Sequence, residues 1–138
     1  HVKVAHHVNK SEICVMPCGY LLVESKKLTS AVYMSESLPI PMDKPDIAAA
    51  TALAGTLLGL QFLYLDTGSG ADGNVQTKIV KAVKEATENI PLFVGGGICN
   101  QQQLEKAWES GADIVVVGTS IEKHYNKMFE FKKEVAWS

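Results

Sequence analysis

The sequence predicts an α/β fold built on a parallel sheet, and three observations carry that expectation. Four segments repeat one grammar: an apolar, β-branched run, then a small or polar turn, then a helical pattern, as consecutive βα units do. The later apolar runs are short and continuous rather than alternating, which fits parallel strands covered on both faces. Glycines gather directly behind them, where a parallel α/β fold places its ligand site. Four βα units make half of a (β/α)8 barrel, and a whole barrel needs upwards of ~200 residues, more than the 138 present here. A small open α/β sheet is the competing architecture.

The elements follow in order. The chain opens at His1 without a Met, in a stretch (HVKVAHHVNKS) that reads as the end of a helix leading into a strand, so a longer parent protein is expected. The first strand is expected over Ile13–Val23, with a bulge or an edge at Pro17 and Gly19. A polar linker from Ser35 to Pro45 leads to Asp46 as N-cap of a helix over Ile47–Leu58, rich in Ala and Leu. Gln61–Asp66 is the second strand. Thr67–Asn74 is a small-residue loop, and Val75–Thr87 places Val75, Ile79, Ala82, Val83 and Ala86 on one helical face. Pro91–Val94 is the third strand, followed by Gly95-Gly96-Gly97. Asn100 caps a helix over Gln101–Ser110, which Gly111 stops. Asp113–Val117 is a fourth, buried strand before Gly118-Thr119-Ser120, and an amphipathic segment runs from Asn126 to Val135. One domain over residues 1–138 is expected.

Composition narrows the function classes. Hydrophobic residues make up 46% and charged residues 20%, with mean hydropathy +0.06, which excludes a disordered, collagen-like or coiled-coil chain. Thirteen Lys plus Arg against 15 Asp plus Glu give a net charge of -2, so no polybasic field exists to hold a nucleic acid or an anionic membrane. The apolar stretch Ile47 to Leu65 is interrupted by Gly55, Gly59 and Gln61, and no stable membrane span is expected. Cys14, Cys18 and Cys99 are odd in number and have apolar or strand-like neighbours, so they read as core thiols in a reducing, cytoplasmic compartment. His6, His7 and His124 have no metal-ligating neighbours at useful spacing and read as surface or capping residues.

The chemistry concentrates at the strand ends. Gly68, Ser69, Gly70, Gly95, Gly96, Gly97, Gly118 and Thr119 all follow strands, and glycine lets backbone N–H groups approach an anion at a helix N-terminus without Lys or Arg. The pairing of a GGGI turn with a later VVGTS turn matches the last two strands of phosphate-binding barrels, the alternative being glycines that serve only as turn and helix-stop residues. Asp66 ends the second strand, where its carboxylate could take a hydroxyl proton or merely order the loop as an Asx turn. Tyr64, two residues earlier, could bind substrate through its phenol or belong to the core. Glu24 and Ser25 sit at the same rim, as substrate contacts or as a solvated turn.

With Tyr64-Leu65-Asp66-Thr67-Gly68-Ser69-Gly70-Ala71, then Val94-Gly95-Gly96-Gly97-Ile98, then Gly111-Ala112-Asp113 leading to Val117-Gly118-Thr119, the chain resembles the geranylgeranylglyceryl phosphate synthase family, which includes the heptaprenylglyceryl phosphate synthases. The similarity runs from about Val15 to Lys123. The resemblance implies a TIM (β/α)8 barrel of which this chain covers the last four βα units. It also implies transfer of a polyprenyl group from its diphosphate to the hydroxyl of sn-glycerol 1-phosphate with Mg2+, an early step of ether-lipid biosynthesis. By the same resemblance Tyr64, Leu65, Asp66, Thr67, Gly68, Ser69, Gly70, Gly96, Gly97, Gly118 and Thr119 bind substrate, and Asp66, with Tyr64 beside it, stands where the family usually carries a catalytic Glu. The family's Mg2+ ligands follow the earliest strands of the barrel, which implies no metal ligands in this chain and no turnover by these residues alone. A homo-oligomer is also implied. The alternatives are another phosphate-binding barrel enzyme, acting on a phosphorylated heterocycle, or a non-catalytic phosphate-binding half-barrel.

Overall fold

In a computed structural model the described residues are 2–25, 37–67, 73–123 and 125–126. Gly68, Ser69, Gly70, Ala71, His124, most of the polar linker and the segment from 127 onward lie outside them, as do the side chains of Val75 and Thr119. The described elements are α1 (Val2–Lys10), β1 (Cys18–Leu22), α2 (Pro45–Leu57), β2 (Phe62–Asp66), α3 (Gly73–Ala86), β3 (Leu92–Gly95), α4 (Gln101–Glu109), β4 (Ile114–Val115) and α5 (Thr119–Lys123). The four strands are parallel and lie in sequence order, β1-β2-β3-β4. Each of the last three strands follows a helix that crosses back over one face, which is the arrangement of four consecutive βα units of a (β/α)8 barrel.

The first strand is shorter than the apolar run that announces it. Register pairs Cys18 with Phe62 and runs one-to-one to Leu22 with Asp66, so there is no bulge. Pro17 has no N–H to extend the ladder; its carbonyl accepts from the Gln61 N–H at 2.9 Å, closing the pairing there. Ile13, Val15 and Met16 are exposed in front of it. Beyond β1, Val23 forms an isolated parallel bridge with Ile40, bringing the chain before α2 back against the sheet.

Asp46 does not cap α2. Pro45, with its preset φ, opens the helix after Lys44, and no side chain caps it. Asp46 instead stands in the first turn, where a carboxylate complements the helix dipole. Ala48, Ala52 and Gly55 form the buried stripe of α2, small enough to let it pack closely on α3. Asn100 does cap α4, its side chain accepting from the Gln103 N–H at 2.9 Å. Gly111, at φ 108, turns the chain out of that helix.

The sheet buries one face. Leu21, Val23, Leu63, Leu65, Leu92 and Val94 point to the helices and pack with Ala48, Ala52, Ile79, Val80, Val83, Ile98, Leu104 and Ala107. Alternate residues Tyr20, Phe62, Tyr64, Phe93 and Ile114 share the opposite face. That face is only partly covered among the described residues, with Tyr20 at 53% and Ile114 at 44% exposure. Aromatics on this second face keep the strands continuously apolar along their length. β4 departs likewise from the expected buried strand: two residues pair, and Val116 is 37% exposed. The thiols of Cys14, Cys18 and Cys99 are free and exposed rather than in the core, because Cys14 precedes the ladder, Cys18 shares the open face and Cys99 lies in a loop.

Candidate functional site

The carboxyl ends of parallel strands lie at one edge of the sheet, and register sets what meets there. Asp66 stands between Leu22 of β1 and Gly95 of β3. Tyr64, two residues earlier, projects from the same face. Both side chains are half-buried. The Tyr64 ring leans toward the strand end and lies across Gly95: a Cβ there would fall on its hydroxyl, 3.0 Å from Cζ and 3.4 Å from Cε1. Gly95 therefore makes the room that brings the Tyr64 phenol beside Asp66. Burial, with the Asp66 charge adding to it, raises the Tyr64 phenol above its ordinary value, so it stays a proton donor at neutral pH.

Tyr20, which sequence reasoning missed, completes the cluster. Its hydroxyl donates to Asp66 Oδ2 at 2.5 Å, and its ring stacks on that of Tyr64, centroids 5.4 Å apart and planes at 10°. Register places Tyr20 directly beside Tyr64, and Tyr20 and Asp66 are 46 positions apart in the chain. Only the pairing of β1 with β2 could have revealed it.

The glycine turn behind β3 is tied to both neighbours. Gly96 and Gly97 have φ of 87 and 71, a left-handed conformation open to glycine at no cost. Thr67 is buried at 1% exposure, its N–H donating to the Gly95 carbonyl at 3.0 Å. Its hydroxyl lies 3.1 Å from the Gly95 carbonyl oxygen and 3.2 Å from that of Gly96. Thr67 is thus a latch between the two strand-end loops. On the other side Ser120, from the start of α5, donates to the Cys99 carbonyl at 3.4 Å, drawing the Gly118-Thr119 turn toward the Gly96-Gly97 turn. Gly118 itself is exposed. The Glu122 carboxylate stands 3.9 Å from the position a Cβ on Gly118 would take.

Tyr64, Asp66, Gly96, Gly97, Gly118 and the backbone of Thr119 thus stand at one edge of the sheet. Period-two alternation turns Leu65 to the helix side, where its side chain is fully buried in the core and only its backbone faces the strand end. Gly68, Ser69 and Gly70 lie outside the described residues. Glu24 is exposed at the rim, its N–H donating to the Ile40 carbonyl at 2.8 Å. Asp113 is structural, bridging Lys84 Nζ at 2.8 Å and the Leu92 N–H at 2.7 Å. Among the described residues no three His, Cys, Asp or Glu side chains gather where a metal ion could sit. No helix among the described residues is long and apolar enough to cross a membrane.

Chemically, the edge offers a carboxylate to accept a proton, two phenols to donate hydrogen bonds, and a turn whose glycines let backbone N–H groups approach an anion. The PcrB family model matches residues 1–136. A geranylgeranylglyceryl phosphate synthase of Spirosoma linguale is 46% identical over 123 residues, 89% of this chain and 49% of that protein. The enzyme of that name from Pyrococcus furiosus is 44% identical over 118 residues, 86% of this chain and 46% of its own. Among solved structures, (S)-3-O-geranylgeranylglyceryl phosphate synthase from Thermoplasma acidophilum, in complex with its substrate sn-glycerol-1-phosphate, superposes with a TM-score of 0.81 at 29% identity. That match covers 94% of this chain and 51% of the other. The chain spans about half the length of the curated relatives it matches.

Proposed function

The chain belongs to the PcrB family, and from that premise we propose that the full-length protein is a prenyltransferase acting on sn-glycerol 1-phosphate. It moves a polyprenyl, geranylgeranyl-type group from its diphosphate to the primary hydroxyl, making an ether-lipid precursor. The observation that carries this reading is the convergence of Asp66 and Tyr64 beside the Gly95–Gly97 turn, at the carboxyl edge of a parallel sheet.

In this reading the phosphate of glycerol phosphate rests on backbone N–H groups around Gly96-Gly97 and Gly118-Thr119, and Gly68, Ser69 and Gly70 are proposed from the family motif as further substrate contacts. The anchored phosphate holds the far hydroxyl near Asp66, which turns a bimolecular encounter into an oriented one. Tyr64 donates a hydrogen bond to the bound glycerol. As the hydroxyl oxygen bonds to the allylic carbon, the carbon–oxygen bond to diphosphate breaks, diphosphate leaves with the bonding electrons, and Asp66 takes the hydroxyl proton. Mg2+ is proposed as cofactor of the full-length protein, and when bound it would neutralise charge on the leaving diphosphate. One barrel domain, a cytoplasmic place and self-association belong to the same proposal.

The test is turnover by the full-length protein with Mg2+, a series of polyprenyl diphosphates, and either sn-glycerol 1-phosphate or its 3-phosphate enantiomer, products read by mass spectrometry. Prenyl ether formed from the 1-phosphate alone is expected, with no turnover by residues 1–138 on their own. Reaction with neither enantiomer overturns the reading and moves the glycine cradle to another phosphate.

A further inference from the structure

We propose that Tyr20 is a positioning residue of this site: its phenol holds the Asp66 carboxylate in the orientation from which it takes the substrate proton. This rests on the reading of Asp66 as the base.

Tyr20 lies on the sheet face opposite the helices, in register with Tyr64. Its side chain is fixed twice. Its hydroxyl is committed to Asp66 Oδ2 at 2.5 Å, and its ring lies flat against Tyr64, 5.4 Å away. Tyr64 in turn rests across Gly95. A chain of four residues on three adjacent strands thus ends on one carboxylate oxygen.

An aspartate on a strand has two torsions, and its carboxylate is broadly free about the second. A donor held at Oδ2 removes that freedom and fixes where the other oxygen of the group stands. The direction of the proton is also set. Burial, then the hydrogen bond and charge of Asp66, push the Tyr20 phenol far above its ordinary value, so Tyr20 donates and Asp66 accepts throughout the physiological range. Orientation of a reacting group matters steeply, since a misplacement of ~1 Å can cost on the order of a hundredfold in rate.

The experiment is a cycle of Tyr20→Phe, Asp66→Asn and the double substitution in the full-length protein, with kcat and the KM for sn-glycerol 1-phosphate measured for each. Phe keeps the stacked ring and removes only the donor. Tyr20→Phe is expected to lower kcat about tenfold, the scale of a charge-assisted hydrogen bond, while KM changes less than about twofold. In the Asp66→Asn background, adding Tyr20→Phe is expected to change the residual kcat by less than about twofold, because its target is gone. A merely structural role would give losses that multiply in the double variant. Such multiplication, or an unchanged kcat in Tyr20→Phe alone, overturns the positioning role while leaving Asp66 as base. Full turnover by Asp66→Asn overturns both readings together.

Discussion

Gly95→Ala separates the geometry of the site from the stability of the fold. The added methyl would fall on the Tyr64 hydroxyl, with Cζ at 3.0 Å and Cε1 at 3.4 Å. The backbone of Gly95 is an ordinary strand conformation, so the change is steric alone. Overpacking costs ~1–3 kcal/mol in a closed core. Here the obstructing atoms are the far end of a half-buried side chain rather than backbone, so the low end of that range, about 1 kcal/mol, applies. That corresponds to a fall in Tm of roughly 2–5 °C. Swinging the ring removes the Tyr64 phenol from beside Asp66 and undoes its stack on Tyr20, so turnover is expected to fall on the order of tenfold to a hundredfold. Thermal melting and steady-state kinetics on one preparation make the comparison. Tyr64→Phe in the Gly95→Ala background, lacking the atom nearest the methyl, is expected to recover part of the Tm and none of the turnover. Unchanged turnover in Gly95→Ala would refute the geometry, and so would a fall in Tm above roughly 10 °C, which would mean Tyr64 cannot move aside.

Two other predictions follow from charged groups around the sheet. Burial alone would raise the Asp113 carboxyl, but the hydrogen bonds from Lys84 and the Leu92 N–H outweigh it and hold the group below its ordinary value. The folded form therefore binds its proton less readily than the unfolded chain. Its stabilising contribution is present above about pH 4 and fades as the pH falls through that range. Asp113→Asn is expected to lower stability by about 1 kcal/mol at pH 7, a figure discounted for the partly exposed pair, and by progressively less toward pH 3. Denaturant unfolding across that range checks it, and a pH-independent difference counts against the reading. Glu122, whose carboxylate stands by Gly118, is expected to repel a phosphate in the proposed cradle, so Glu122→Gln should lower the KM for sn-glycerol 1-phosphate about two- to fourfold at low salt. Titration of KM against ionic strength checks this, with the gain disappearing as salt rises.

Local features were legible without coordinates wherever a short stretch of chain decides the outcome. The Asn100 cap and the Gly111 stop both occur where they were expected, because each depends on one residue and its immediate neighbours. The strand-end glycines and the Tyr64-Leu65-Asp66-Thr67 segment were legible for the same reason, and the family motif rests on them. Boundaries failed where a partner decides them. The apolar run from Ile13 to Pro17 has strand character but pairs with no strand among the described residues, and Pro17 closes the ladder behind it. Pro45 preempted Asp46 at the start of α2, since its fixed φ suits the first helical position without a side-chain cap.

Sequence alone thus sufficed for the alternation of strands and helices, the glycine turns and the family, since these are written in periodicity and in adjacent residues. Register belonged to the tertiary structure. A slip of one residue between β1 and β2 would turn Tyr20 to the helices and leave Asp66 without its phenol. The pairing of β2 with β3 sends Leu65 to the core and Tyr64 to the opposite face, and it sets Thr67 as a latch on carbonyls 28 and 29 positions away. These contacts are set by hydrogen bonding between segments far apart in the chain, so no window of the sequence contains both partners.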